Sequence, residues 1–153
     1  MSETPTSDRI EKKITLSAPL SRVWRALSDH QEFGAWFRVR LEAPFVAGHT
    51  VHGEITYPGY EHLKLELQVV AVTPERYLAY RWRPNAIDAN KDYSSEPMTL
   101  VEFTLEATPQ GTQLTIVESG FDKLPAERRA QAFRSNDEGW TAQLSNIERH
   151  VSR

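Results

Sequence analysis

"AFRSNDEGWTAQLSNIERHV", residues 132–151, decides how the chain folds. Phe133, Trp140, Leu144, Ile147 and Val151 recur in steps of seven, four, three and four. That spacing is a single apolar stripe along one helix. Two features interrupt it. Asn136 and Asp137 fall on or beside the stripe, between Phe133 and Trp140. Gly139 stands directly before Trp140, where a helix-interior glycine costs about 1 kcal/mol relative to alanine. Either close backbone approach or space beside the indole explains that glycine. The helical period begins near Pro125 and runs to the C-terminus. A lone helix with one apolar stripe has to pack across something, and the rest of the sequence supplies a sheet.

Upstream, the period is two. "RIEKKITLSAP" places Ile10, Lys12, Ile14 and Leu16 on one parity, as a first strand does. The period then changes: Leu20, Val23, Trp24 and Leu27 fall at helical spacing after Pro19. Asp29 caps a second short helix that carries Phe33, Trp36 and Phe37. Six strands follow, read from "RVRLEAPF", "GHTVHGEITYPG", "HLKLELQVVAVTP", "RYLAYRW", "TLVEFTLEAT" and "TQLTIVESGF". Leu63, Leu65, Leu67 and Val69 oppose Lys64, Glu66 and Gln68, and Val101, Phe103 and Leu105 oppose Glu102, Thr104 and Glu106. One-sided alternation of this kind means an antiparallel sheet with one covered and one wet face. Residues 84–96 read as a long irregular loop, the type that often serves as a lid. Residues 1–7 read as a disordered tail and residues 8–153 as a single domain.

Composition narrows the function. The chain has 153 residues and no cysteine, so disulfides and thiolate zinc sites are excluded. Its 18 basic and 21 acidic residues nearly balance, unlike the basic excess of a nucleic-acid binder. The polar start "MSETPTSDRI" carries no signal-peptide run, and no stretch reaches membrane-span length. The expectation is a cytoplasmic protein with neither nucleic acid nor membrane as partner. His49 and His52 point to opposite faces of a strand and His52 and Glu54 share its polar face, so no metal site is expected. Nor does a phosphate-cradling loop or an activated nucleophile point to a cofactor or a covalent mechanism.

Glu118 is the most informative single residue. It continues the parity of Leu114 and Ile116, so a regular strand turns its carboxylate toward the covered face. A buried carboxylate needs a partner or a shifted pKa. It can anchor a ligand, act as a general base, or make a structural bond; a bulge near the strand end would instead turn it to solvent. Trp36, Phe37, Tyr57, Tyr80, Trp82, Phe103, Phe133 and Trp140 can line a pocket for a flat apolar molecule or simply form the core. Leu144 continues the helix wall of the same candidate site, and Asn136 can hydrogen-bond a ligand from it. Trp24 is assigned to packing.

The stretches "APLSRVWRALSDHQEFGAWF", "VVAVTPERYLAYRW", "TLVEFTLEATPQGTQLTIVESGF" and "EGWTAQLSNIERHV" occur in an order that resembles the START-like (SRPBCC) superfamily. Within it, the chain is similar to bacterial homologues of the C-terminal domain of the heat-shock protein 90 ATPase activator. The resemblance implies an α+β helix-grip fold: a curved antiparallel sheet of six or seven strands around a long C-terminal helix, with a cavity between them. It also implies one of three functions: binding an apolar small molecule, an enzyme of cyclase or hydrolase type using Glu118 with a Tyr or Asn, or a module that binds a chaperone in a stress response. A counterpart of the N-terminal domain of full chaperone activators is not expected, which ranks the third reading last. An open, mainly apolar cavity favours the first reading. A cavity with Glu118 and a second polar group converging on one point favours the second, and one filled by side chains favours the third.

Overall fold

Seven antiparallel strands form one sheet in the order β1-β7-β6-β5-β4-β3-β2. The computed structural model describes residues 9–84, 92–93 and 95–152; the tail expected over residues 1–7 lies outside them. Strand β1 spans Arg9–Leu16, β2 Val39–Leu41, β3 Thr50–Ile55, β4 Lys64–Thr73, β5 Tyr77–Trp82, β6 Thr99–Thr108 and β7 Gly111–Ser119. Two short helices, α1 (Leu20–Ser28) and α2 (His30–Phe37), separate β1 from β2, and α3 (Ala126–Val151) closes the chain. This is the helix-grip architecture, with seven strands rather than six. A 3-10 turn over Phe121–Lys123, which the sequence periodicity does not signal, reverses the chain between β7 and α3.

Local chemistry accounts for the element boundaries. The Asp29 side chain accepts hydrogen bonds from the backbone N–H groups of Gln31 (2.9 Å) and Glu32 (3.2 Å), which starts α2. Arg38 ends α2 in the left-handed conformation at φ 71°. The tight turn into β7 requires a residue without Cβ: Gly111 sits at φ +145°, and a Cβ there would run into the Leu16 carbonyl. In β4 the register slips between Val69 and Ala71, so Val70 bulges outward and is left exposed. The strand thereby keeps Val69 and Val72 on the core side.

The core fills the space between the concave face of the sheet and the three helices. Leu67, Leu78, Tyr80, Phe103, Leu114 and Ile116 come from the strands, Leu27 and Phe33 from α1 and α2. Helix α3 contributes Ala132, Trp140, Ile147 and Val151 as buried residues, while Phe133 and Leu144 are half-buried along the same stripe. Near the C-terminal end of α3, Glu32 joins three helices. It accepts from Arg22 Nη1 (2.7 Å) and Arg25 Nε (2.9 Å) of α1 and sits 2.9 Å from His150 Nε2 of α3. Burial by itself raises the Glu32 carboxyl pKa. Hydrogen bonds from His150, Arg22 and Arg25 and the charge of Arg22 outweigh it and hold the group at about 2.

At the other end of α3, Arg128 secures the connection between β5 and β6. Its guanidinium donates to both oxygens of Glu96 and to the Pro84 carbonyl, and it stacks over Tyr93 at 4.8 Å. The lid expected over residues 84–96 falls largely on residues 85–91 and 94, outside the described residues. Its two ends, at Pro84 and Glu96, are pinned to α3 by this arginine. No described helix is long and apolar enough to cross a membrane.

Candidate functional site

Strand register brings one buried carboxylate under the middle of α3. Glu118 pairs with Val101, which pairs with Tyr80, so the three side chains form a row on the concave face. Trp82 and Thr99, a cross-strand pair, lie two residues further along β5 and β6 on that face. Asn136 and Trp140, one helical turn apart on α3, descend onto the row from above.

All four of these polar side chains turn to Glu118, which is 0% exposed. Trp140 Nε1 donates to Oε1 at 2.8 Å and Trp82 Nε1 to Oε2 at 2.8 Å. Thr99 Oγ1 donates to Oε2 at 2.5 Å, and Asn136 Nδ2 reaches both oxygens at 2.9 and 3.1 Å. A carboxylate offers about four lone-pair sites, and these contacts fill them. Each hydrogen bond to a charged group is worth about 1.5–3 kcal/mol, which offsets the desolvation of the carboxylate. The covered-face orientation expected from strand parity is the one observed, and the bulge that would have turned Glu118 to solvent is absent. The side chain is held from every direction by the protein itself.

Tyr80 lies beside this network without joining it. Its hydroxyl is buried and has no hydrogen-bond partner among the described residues. Burial, and secondarily the negative charge of Glu118, push the phenol well above its ordinary range.

Above the network lies a cleft between α3, α2 and the end of β5. Phe37, Trp82, Asn136, Gly139, Trp140 and Gln143 line a space of about 90 Å³ that opens to solvent. The three rings pack around one another: Phe37 and Trp82 centroids are 5.9 Å apart, Phe37 and Trp140 6.0 Å, Trp82 and Trp140 5.8 Å. Gly139 is exposed at the rim of this cleft, and a Cβ there would meet nothing within 4 Å, so the glycine makes no close approach to the sheet and leaves the opening clear.

The other candidates read from the sequence are distributed as follows. Phe37, Trp82, Asn136 and Trp140 line the cleft, with Glu118 one side chain beneath it. Tyr80 and Phe103 pack under the aromatic trio, 5.4 Å from Trp82 and 5.8 Å from Trp140 respectively. Trp36 is a core residue whose Nε1 donates to the Ala26 carbonyl at 2.9 Å. Phe133 packs on Phe121 at 5.3 Å, beyond the cleft. Leu144 is half-buried against the core and does not border the cleft. Tyr57 is 52% exposed and pairs with Tyr60 beyond the end of β3, where a regular strand had been expected to carry it to the covered face. Strand β3 ends at Ile55, and the chain has already turned by Tyr57. Asp137 points sideways from α3 to Lys12 of β1 at 2.9 Å.

Thr99 and Gln143 belong to the site and were not singled out from the sequence. Both had a positional signal. Thr99 lies two residues before Val101 on the covered-face parity of β6, and Gln143 follows Asn136 and Trp140 by seven and three on α3. A search for apolar residues passes over them.

Comparison with known proteins agrees with this architecture. Residues 17–152 match the family model described as Activator of Hsp90 ATPase homolog 1-like protein. No match is found among curated proteins. Among solved structures, protein MLL2253 from Mesorhizobium loti superposes with a TM-score of 0.76 at 25% identity, over 95% of this chain and 97% of that one. Protein CV1439 from Chromobacterium violaceum gives 0.73 at 21% identity, over 95% and 99%. The Aha1 dimer from Colwellia psychrerythraea, solved in solution, gives 0.70 at 15% identity, over 94% and 95%, a likeness of fold alone. With the family model spanning both short helices, β2 to β7 and the long helix, the chain belongs to the Activator of Hsp90 ATPase homolog 1-like family.

Proposed function

We propose that the protein binds a small hydrophobic or aromatic molecule in the cleft between α3 and the sheet. The observation that carries this reading is the aromatic wall of the cleft. Phe37, Trp82 and Trp140 line a space that opens to solvent and offer an apolar surface of fixed geometry. Gly139, exposed at the rim, puts no side chain into the opening. The two indoles cannot swing away, because each donates its N–H to Glu118. A volume of about 90 Å³ is below the ~150 Å³ of a cavity that encloses benzene and the ~300–1,000 Å³ of drug-sized pockets. The ligand is therefore compact, or inserts one group and leaves the rest in solvent.

The enzyme reading through Glu118 is not favoured by this geometry. A general base must reach the proton it removes, and both Glu118 oxygens are occupied by protein donors under the cleft floor. The chaperone-module reading has family membership behind it and the side chains that fill most of the space between sheet and helix; the cleft that stays open ranks it second.

Native mass spectrometry of freshly purified protein tests the proposal, with Gly139→Leu as the control that fills the gap. A co-purifying small molecule that is lost in the variant supports it. A molecule retained equally by the variant places binding elsewhere and contradicts it.

A further inference from the structure

We propose that the cleft selects compact organic cations, such as a quaternary ammonium group, over neutral isosteres and over anions. This rests on the small-molecule reading above and specifies the charge of the ligand.

The first ground is an uncompensated charge. Glu118 is 0% exposed, yet its partners are two indoles, an amide and a hydroxyl, all neutral. Among the described residues no Lys, Arg or His pairs with it. The lysine on the same face of the neighbouring strand, Lys12, is paired with Asp137 at 2.9 Å. Neutral donors stabilise a carboxylate without cancelling its field, and the field acts over longer range in a desolvated setting than in water.

The second ground is where that field emerges. Three of the four groups that hold Glu118, namely Trp82, Asn136 and Trp140, are themselves cleft-lining residues. The carboxylate is therefore one side chain away from whatever occupies the cleft. An indole that donates its N–H to an anion also carries more electron density in its ring, which strengthens the attraction of its face for a cation.

The third ground is the polarity of the lining. Its described residues include no Lys, Arg or His. Gln143 is engaged on both ends, donating to the Phe37 carbonyl at 3.1 Å and accepting from Asn146 at 3.0 Å. Asn136 turns its amide nitrogen to Glu118, and its carbonyl oxygen has no donor among the described residues. The lining thus presents aromatic rings and a free acceptor, with a negative charge behind them. An anion meets repulsion there and no charged donor among the described residues. A cation with an apolar surface meets ring faces, an acceptor and the carboxylate field. The volume of about 90 Å³ suits a compact head group in place of a fused-ring ligand.

Three isosteric probes separate charge from shape: choline, 3,3-dimethylbutan-1-ol and 3,3-dimethylbutanoate. Binding is followed by the indole N–H resonances of Trp82 and Trp140. Choline is expected to bind at least about tenfold tighter than the alcohol, and the carboxylate weakest of the three. Glu118→Gln, which keeps the side-chain shape and removes its charge, is expected to bring choline and the alcohol within about twofold of each other. Should that variant fail to fold, the comparison on the unmodified protein decides alone. Equal affinity for choline and the alcohol overturns the inference and leaves the small-molecule reading standing, as does preference for the carboxylate or a folded Glu118→Gln that still discriminates. If none of the three shifts either resonance, the inference fails; the small-molecule reading falls with it only when the neutral single-ring probes toluene and phenol also leave both resonances unmoved.

Discussion

Replacing Glu118 by leucine removes the acceptor of five hydrogen-bond contacts and leaves four donors facing an apolar side chain. The cost follows from how far each donor can reach water. Thr99 and Trp140 are buried at 0% and 2% exposure, and an unsatisfied buried donor costs about 1–3 kcal/mol. Trp82 and Asn136 line the open cleft and can turn to solvent, so they add little. The two buried donors together set a cost of about 2–6 kcal/mol, reduced by the carboxylate desolvation that the leucine no longer incurs. A net loss of about 2–4 kcal/mol is expected, a fall of about 4–16 °C in Tm for a domain of this size. Glu118→Gln should lose less, about 1–2 kcal/mol, because one carbonyl oxygen still accepts and the Thr99 hydroxyl can rotate to accept from the new amide. Urea unfolding followed by tryptophan fluorescence measures both, with unchanged m-values showing that the unfolded state is not altered. The order leucine worse than glutamine is the decisive outcome. A leucine variant as stable as the parent would mean that the network does not bear on folding, and that the carboxylate is retained for the cleft alone.

Truncating Trp140 to alanine, at 2% exposure, should cost about 3–5 kcal/mol; a loss below about 1 kcal/mol in the same denaturation assay would mean the indole is not packed there. Gly139→Ala should raise stability by about 0.5–1 kcal/mol, since helix propensity improves and the added Cβ meets nothing within 4 Å; a destabilised variant would show that the gap is not open. Acid sensitivity should centre on Glu32. Its folded pKa of about 2 lies below the ordinary 4.5, so its contribution is present above about 4.5 and is lost as pH falls through 2. Glu32→Gln should therefore flatten the stability profile between those values, and an unchanged acid limb would contradict the role given to the Arg22–Glu32–His150 cluster.

The fold was legible because its elements announce themselves by period. The alternation in β4, β6 and β7, the helical stripe ending at Val151 and the cap at Asp29 each follow from local chemistry, and their order left one arrangement for a lone amphipathic helix. Where period stops, the residues mark no boundary. Tyr57 was carried past the true end of β3 by extending its alternation two residues too far, and the 3-10 turn at Phe121–Lys123 has no periodic signal at all. The site was half legible. Strand parity alone pointed Glu118 inward. What holds it there depends on β5, β6 and α3 arriving at one point, and no spacing along the chain encodes a distance between Trp82, Thr99 and Trp140. The same holds for Gly139: its sequence context admits either close packing or open space, and only the position of α3 above the sheet decides for space.

The most direct test uses two of the protein's four tryptophans as reporters and the other two as internal controls. Each indole N–H gives its own resonance in a two-dimensional nitrogen–proton spectrum. Trp82 and Trp140 line the cleft, while Trp36 is locked to the Ala26 carbonyl in the core and Trp24 lies on α1. Titration with compact aromatic and ammonium-bearing probes is predicted to shift Trp82 and Trp140 together, saturably and with one common affinity, and to leave Trp24 and Trp36 in place. Saturable binding that moves Trp24 or Trp36 and leaves the cleft pair unmoved would contradict a ligand site between α3 and the sheet.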